Sequence, residues 1–418
     1  MVNKTEFISD NYDSDILGKK LTFFIFIMII PLSIYSLVYK SVLLLSIMMG
    51  LGYIVSFFNL FIYVVNSYGV KLSKLIFTLS IISIQITNLL LMSFKGTVPD
   101  WQDILNIISS QLSFLIFFLL MMDKKISRKA LSYFFHSFLM ISLIACMFNI
   151  FWNFGEFSKF STAISSYDIS FQSFFGNRNQ FGSFLFLSNI IYVYIFKLYR
   201  LKNIFVNVLL FLFINVNLML TMSRGAILAT LIFYTLLTVR GLFKARKYSF
   251  FTLICFSLLS GFVLKNSNVI NFIDKFFIRS NAASSGRVDI WKLGFDIYTD
   301  GNLFFGSGFY TALDIAKGNG LEVNQFHNFF IETLIDGGIF ELLLIIFSLL
   351  YTLYVIKNNK SLGSDIKSIY FFSLISLTVL LCVESVSFYG LGYVETVNAI
   401  VFITIPILMS NSGCLEKN

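Results

Sequence analysis

Residues 203–239 read NIFVNVLLFLFINVNLMLTMSRGAILATLIFYTLLTV, two apolar runs separated by a short polar interruption at Met222-Ser223. Each run is about as long as a helix needs to cross the roughly 30 Å hydrocarbon core of a bilayer. That core offers no water to the backbone, so such a run must satisfy its polar groups within a helix. The stretch therefore predicts a helical hairpin in a membrane, with a tight turn at one surface and its two helices packed side by side.

The rest of the chain continues this pattern. Of its 418 residues, 57% are hydrophobic and 13% are charged, and the mean hydropathy is +0.81. Soluble domains carry roughly a quarter charged residues, so a water-soluble fold is excluded. Continuous apolar runs predict an all-α, polytopic membrane protein with about 12 transmembrane helices in a single domain, 1–418. The candidate spans are about 21–39, 42–65, 73–94, 104–122, 130–152, 180–199, 203–221, 224–239, 249–264, 335–356, 368–388 and 396–410.

Positive charge is distributed unequally between the loops that join these spans. With the N-terminus in the cytoplasm, most of the 31 Lys and Arg residues fall on the inner side, as in DKKISRK (123–129) and RGLFKARK (240–247). This is the positive-inside rule, and the reverse orientation would break it at every inner loop. The net charge of +9 therefore indicates topology and contact with membrane lipids, with both termini cytoplasmic; no nucleic-acid partner is expected.

Residues 265–334 form the longest stretch between predicted spans and are expected to make a large extracytoplasmic loop. Loops of this length usually carry a function. Apolar residues recur at helical spacing in RVDIWKLGFDIY (287–298), which predicts an amphipathic helix in the outer interface. Trp291 on this helix is a candidate for substrate contact.

Arg224 lies at the outer end of the eighth span, in SRGA (223–226). An arginine next to the membrane is costly unless it is paired or hydrated, and the positive-inside rule disfavours this side. One interpretation is an arginine whose charged end reaches the headgroups. The favoured one is a guanidinium that binds phosphate through two parallel hydrogen bonds, aided by a helix N-terminus that Ser223 caps.

Further basic residues are expected on the same side of the membrane. Arg287 opens the amphipathic helix, where it is either a solvated surface charge or a second phosphate ligand. Arg178 and Asn179, in GNRNQFG (176–182), come directly before the sixth span and are candidates for substrate binding.

His327 begins HNFFIETLIDGG (327–338), where the long loop returns to the membrane. Histidine is the usual general base near neutral pH, so His327 either removes a proton from a sugar hydroxyl or is an interfacial residue without chemistry. Asn328 and Glu332 follow on one helix face. They either orient His327 or bind sugar hydroxyls, or they only mark the wet end of a helix. Glu384, at the outer end of the eleventh span, is a candidate to neutralise an arginine.

The sequence lacks the common motifs of nucleotide- and metal-dependent enzymes. There is no nucleotide-binding loop, no HExxH and no nucleophile elbow, and the outer loops lack paired aspartates, so neither a metal nor a cofactor is expected.

A flippase or exporter of lipid-linked oligosaccharides also fits twelve spans. Transporters, however, usually repeat their halves and place polar groups at the midplane. A non-catalytic sensor would leave Arg224 on the disfavoured side without a reason.

Four elements in this order resemble the O-antigen polymerase and ligase superfamily, the Wzy-type proteins. They are GNRNQFG, SRGA at a helix junction, GRVDIWKLGFD with FFGSGF in the long loop, and HNFFIETLIDGG; together they cover about residues 170–345. The resemblance implies a metal-independent glycosyltransferase of the bacterial plasma (inner) membrane whose donor is an oligosaccharide on undecaprenyl pyrophosphate. It also implies that Arg224 and Arg287 hold the pyrophosphate and stabilise it as a leaving group, while His327 activates the acceptor hydroxyl.

The resemblance includes two activities. A polymerase joins repeat units into an O-antigen, capsule or exopolysaccharide, whereas a ligase transfers the glycan to a lipid core. The ligase pattern is His, then Asn, Ser or Gln, nine residues, Gly, two residues, and Gly. His327, Asn328 and Gly338 fit it, but Glu341 occupies the last position. A polymerase is therefore expected, with a chain-length regulator protein as a further partner.

Overall fold

The computed structural model of the protein describes residues 128–155, 171–199, 203–244, 287–307, 312–318, 326–385, 398 and 400–411. Every regular element in these ranges is helical, which agrees with the all-α prediction. The helices are α1 (Arg128–Trp152), α2 (Arg178–Tyr199), α3 (Ile204–Leu220), α4 (Arg224–Lys244), α5 (Arg287–Asp300), α6 (Ala312–Gly318), α7 (Phe329–Asn358), α8 (Ser364–Val383) and α9 (Ile405–Asn411), with a π-helical turn at Ile400–Thr404 before α9.

Five of the helices in the described ranges are long and apolar enough to cross a membrane. They are α1, α2, α4, α7 and α8, and α3 is apolar but shorter. These helices coincide with predicted spans, because a long apolar run is a local signal that needs no tertiary contact to be recognised. The predicted spans 21–39, 42–65, 73–94, 104–122 and 249–264 lie outside the described residues. The twelve-span count and the full extent of the loop 265–334 therefore stay predictions.

Helix α2 lies at the centre of the bundle. Most of its residues are buried, and it packs against α1, α3, α4 and α8. Helices α3 and α4 contact each other less than each contacts α2, so the prediction that they pack side by side is only partly right. They meet through an edge-to-face contact between Phe211 and Tyr234, with ring centroids 5.3 Å apart. The reason is that α2 occupies the space between them, and α4 lies mainly along α8.

Buried amide and hydroxyl groups join the helices inside this bundle. Ser142 of α1 hydrogen-bonds Ser188 of α2 (2.8 Å), and the Asn149 side chain of α1 donates to Asn217 of α3 (3.0 Å). The side-chain oxygen of Asn189 on α2 accepts from both Asn215 of α3 (3.0 Å) and Tyr234 of α4 (2.7 Å). We call these contacts the polar ladder. Bonds of this kind hold helices together in lipid, where apolar contact alone gives no preference for protein over acyl chains.

Helix α7 is broken at Gly338, whose φ of 68° and ψ of −169° are not helical. The break separates an outer segment, 329–337, from a membrane segment, 339–358. Loop 302–307 fills the break: the Ser307 N–H donates to the carbonyl of Ile335 (2.7 Å), and the Ile339 N–H donates to the carbonyl of Leu303 (3.0 Å). A side chain at Gly338 would overlap the backbone of Phe304, so only glycine fits. The helix begins at Phe329, about two turns before the predicted span at 335–356.

The stretch predicted to be an amphipathic helix in the long loop forms helix α5. It runs beside the outer segment of α7 in the same direction, with Gly294 against Phe326 and Ile331. A small apolar cluster outside the main core holds this pair; its buried members are Ile297, Ala316, Phe326 and Ile335. Because the two helices are parallel, their N-terminal ends lie at the same place, beside the end of α8.

Candidate active site

The N-terminal ends of four helices meet at the C-terminal end of α8. Asn179 of α2 donates a hydrogen bond to Oε2 of Glu384 (2.9 Å), and Nδ1 of His327, just before α7, lies 3.4 Å from the same oxygen. Arg287 of α5 places one guanidinium nitrogen 3.6 Å from Oε1 of Glu384 and donates from the other to the carbonyl of Val383 (3.0 Å). Three of the four sequence elements that carried the resemblance therefore converge on one buried carboxylate.

The fourth helix, α4, reaches the same place through a glycine. A methyl group added at Gly225 would lie 2.8 Å from Cγ2 of Val383 and 3.0 Å from Cγ of Glu384. Such distances are shorter than real carbon contacts, so the close approach of α4 to α8 depends on the absence of a side chain. Gly225 thereby brings the start of α4, and with it Arg224, to the end of α8.

Three of the four helices begin with an arginine: Arg178 opens α2, Arg224 opens α4 and Arg287 opens α5. All three are half-buried. A helix N-terminus carries positive partial charge, so a cation there is disfavoured by roughly 0.3–1 kcal/mol at each helix. Positive helix ends and arginines at one place attract negative charge, and Glu384 supplies such a charge there. Helix N-termini and arginines are also the groups with which proteins bind phosphate esters.

His327 has a positive φ, which is uncommon for a residue other than glycine, although histidine adopts it more often than most. Its φ of 51° lies in the left-handed region, which costs most non-glycine residues about 1 kcal/mol or more. An ionised carboxylate only accepts hydrogen bonds, so a hydrogen bond from His327 to Glu384 requires the proton on Nδ1, and Nε2 is then the nitrogen able to accept one. This arrangement is the one that a general base requires.

Three predicted residues hold the backbone around His327. Asn328 caps α7, because its side-chain oxygen accepts from the N–H groups of Phe330 (3.0 Å) and Ile331 (3.2 Å). Its amide nitrogen donates to the carbonyl of Cys382 at the end of α8 (3.2 Å). The indole N–H of Trp291 donates to the carbonyl of Phe326 (2.9 Å). Glu332 lies next to His327, Ser385 and the N–H of Phe326. Asn328 and Glu332 thus lie beside His327, and their predicted roles stay predictions.

One local prediction about this region is wrong. Ser223 does not cap α4, since its side-chain oxygen is buried without a hydrogen-bond partner among the described residues. The side chain is instead packed against Gly182 of α2, where an added methyl group would lie 2.6 Å from Cβ of Ser223. Ser223 therefore packs closely against the start of α2 instead of accepting a hydrogen bond from the first turn of α4.

Sequence reasoning named Glu384 only as a possible neutraliser of an arginine and did not place it at the centre. It lies 57 residues from His327 and 205 residues from Asn179 along the chain, so no local pattern connects them. The available signal was a carboxylate at the outer end of a predicted span, on the same side as the arginines. Its buried position, with only 3% of the side chain exposed, is a tertiary fact.

The long apolar helices define the class of an integral membrane protein, with a cluster of charged and polar residues where four helix ends meet. Residues 208–347 match the family model described as O-Antigen ligase. The match confirms the resemblance to the O-antigen polymerase and ligase superfamily, and it covers about a third of the chain. No curated protein matches the sequence. The family and the apolar helices together indicate an O-antigen ligase- or polymerase-type enzyme of the bacterial inner membrane.

Proposed function

We propose that the protein is a polymerase that joins undecaprenyl-pyrophosphate-linked oligosaccharide repeat units on the outer face of the plasma membrane. The observation that carries this proposal is the convergence of four helix N-termini, three of them starting with Arg, beside a histidine held by a carboxylate. This combination matches the two demands of glycosyl transfer from a lipid pyrophosphate: stabilisation of a departing dianion and removal of a proton from a hydroxyl.

In the proposed reaction, Arg224 and Arg287 bind the donor pyrophosphate, with Arg178 and Asn179 at the margin of the same site. Nε2 of His327 takes the proton of the acceptor hydroxyl while its oxygen attacks the anomeric carbon of the donor sugar. The bond from that carbon to the pyrophosphate oxygen breaks, and its electron pair leaves on the pyrophosphate. The proton on His327 then passes to the released lipid pyrophosphate or to water. The reaction as proposed needs no metal or nucleotide.

One feature supports a polymerase over a ligase, and another supports a polymerase over a transporter. Glu341 stands where the ligase pattern has glycine, and its carboxylate folds back over Gly337, which has no side chain to exclude it. The site also lies where helix ends meet at one side of the bundle, whereas a transporter site is expected at the midplane.

Ligase activity is the second candidate. The family model that matches residues 208–347 is described as O-Antigen ligase, and this observation favours transfer of a finished glycan to a lipid core. Both activities use the same donor chemistry, so the residues of the site do not separate them. The acceptor separates them, and acceptors are distinguished by product analysis.

The test is gel electrophoresis of the surface polysaccharide from cells that lack the protein. Single repeat units, still on their carrier or on a lipid core, are the result expected of a missing polymerase. Long chains that accumulate on undecaprenyl pyrophosphate and are never transferred would identify a ligase instead. Single repeat units retained on the inner side of the membrane would indicate a flippase. An unchanged ladder would reject the glycan reaction altogether. Complementation with the intact gene controls for polar effects of the deletion.

A further inference from the structure

Glu384 stands between the two groups that the proposed reaction uses at different moments. Its Oε1 faces Arg287 at 3.6 Å, and its Oε2 faces His327 at 3.4 Å and accepts from Asn179 at 2.9 Å. The carboxylate is almost completely buried, so it has little water to compete with these partners. A single ionised group therefore shares its charge between a phosphate-binding cation and a base.

The structure points to Glu384 as a positioning residue that couples occupation of the donor phosphate site to the basicity of His327. The inference rests on the proposed function, since it assigns Arg287 to the donor and His327 to the acceptor. Glu384 itself touches neither substrate in this scheme; it acts through the two residues that do.

The coupling follows from how the charge of Glu384 is divided. Without a donor, Arg287 neutralises much of the carboxylate, and His327 feels little net negative charge from it. When a pyrophosphate approaches the exposed edge of Arg287, the cation is shared between two anions. The carboxylate then interacts more strongly with His327, and the imidazolium that forms on proton transfer is stabilised. The acceptor is thus activated mainly when a donor is in place, which limits futile reactions.

Other described charged residues lie on the helices that begin near Glu384. Glu332 of α7 lies next to His327, Arg287 belongs to α5, and Arg224 and Arg178 open α4 and α2. Among the described carboxylates, Glu384 alone is in contact with both Arg287 and His327. Among the described residues no contact joins Glu332 to Arg287, so it does not supply the coupling.

The strained backbone of His327 supports a positioning role. A residue held at φ 51° keeps that conformation only if its surroundings fix it. The contacts that fix it are the bonds of Asn328 to α7 and to the Cys382 carbonyl, the bond of Trp291 to Phe326, and the approach of Nδ1 to Glu384. These contacts hold the backbone at His327 in the conformation that brings Nδ1 to Glu384.

The first experiment compares the wild-type full-length protein with Glu384→Gln and Glu384→Asp, in lipid nanodiscs, with lipid-linked repeat units extracted from cells that lack the polymerase. Gln keeps the volume and removes the charge. We expect kcat of Glu384→Gln to fall by about tenfold to a hundredfold, with KM for the donor little changed, and Asp to restore part of kcat. Full kcat in Glu384→Gln overturns the inference. So does an equal loss of kcat and donor affinity that Asp does not repair, because that pattern describes a purely structural carboxylate.

The matched control is Asp365→Asn, the same loss of charge at the opposite end of α8. Asp365 pairs with Lys197 at 2.7 Å, far along the helix from the site, and this variant is expected to keep kcat.

A second experiment uses no glycan and separates this inference from the proposed reaction. Diethyl pyrocarbonate reacts with a histidine only when its imidazole is unprotonated. The chain contains two histidines, His136 and His327. Inorganic pyrophosphate is expected to slow modification of His327 in the wild-type protein and to leave His136 unaffected. The slowing should largely disappear in Glu384→Gln. If it persists undiminished there, pyrophosphate only shields the histidine and the coupling is wrong. If it disappears as expected while the wild-type protein polymerises nothing, the coupling stands and the proposed reaction fails.

Discussion

Around the buried Glu384 the contacting side chains include charged, half-buried ones such as Arg287, whereas those of the polar ladder between α1, α2, α3 and α4 are neutral and mostly buried. In the ladder, side chains hydrogen-bond to one another at short distances: the Asn189 side-chain oxygen, for example, accepts from both Asn215 and Tyr234. At Glu384 the contacts to Arg287 and His327 are longer, 3.6 and 3.4 Å, and the histidine backbone is strained. Short neutral bonds stabilise a membrane bundle, while loose charged contacts leave groups able to exchange partners with a substrate.

This difference predicts that substitutions in the two regions change different quantities. Around Glu384 they should reduce turnover with little loss of folded protein. In the polar ladder they should reduce stability with little loss of turnover for each folded molecule. Four predictions test this separation, in order of decreasing effect on activity.

The largest effect is expected for His327→Gln. Gln keeps hydrogen-bonding capacity but does not accept a proton, so turnover should fall by about a hundredfold or more. The measurement is polymerisation by purified protein, together with chain length on gels from complemented cells. His136→Gln is the control, since the contacts of His136 within the described residues are to Ser132 on the same helix and to Tyr199. A His327→Gln protein with normal turnover would remove the general base from the mechanism.

Arg287→Lys should have the next largest effect. Lysine keeps the charge but has no planar fork, so it does not bind the Val383 carbonyl, Glu384 and a phosphate in the same geometry. Loss of one charge-assisted hydrogen bond predicts a decrease of about tenfold to a hundredfold in kcat/KM. If Arg287→Lys is fully active, the arginine provides only electrostatic steering. In that case Arg287→Ala should be tested at several salt concentrations, since steering weakens as ionic strength rises.

Gly225→Ala should have a smaller effect, because it displaces the site without removing any of its groups. The added methyl group must shift Val383 and Glu384, and crowding of this kind costs about 1–3 kcal/mol. We expect lower turnover and a lower thermal midpoint. Gly241→Ala is a matched control on the same helix, where nothing lies within 4 Å of an added methyl group. Equal behaviour of the two variants would show that the approach of α4 to Glu384 is looser than described.

The smallest effect on turnover is expected for Asn189→Leu, in the polar ladder. Asn215 and Tyr234 lose their shared acceptor, and such bonds contribute about 1 kcal/mol in membrane proteins. The thermal midpoint should fall, whereas turnover per folded molecule should remain near that of the wild-type protein. Turnover that falls as far as in His327→Gln would show that the ladder communicates with the site, and the separation of the two regions would fail.

Much of the fold was predictable because its signals are local. The spans at 130–152, 180–199 and 224–239 and the amphipathic helix at 287–298 all correspond to helices, with ends that differ by a few residues or, for α4, about one turn. Apolar length and periodicity are properties of neighbouring residues, so they can be read without knowing the fold. The break at Gly338 was not predicted, since its cause is the backbone of loop 302–307, which lies about 30 residues earlier in the chain.

The candidate site divides in the same way. Sequence alone selected Arg178, Asn179, Arg224, Arg287, His327 and Asn328, because charged and polar residues beside apolar runs stand out against a lipid background. Only the tertiary structure decided that Asn179, Arg287, His327 and Asn328 meet at the end of α8, that Glu384 lies between them, and that His327 has a positive φ. The physical reason is that hydropathy is set by each residue and its neighbours, whereas the electrostatic environment of a buried carboxylate is set by helices that are distant in the chain and adjacent only after packing.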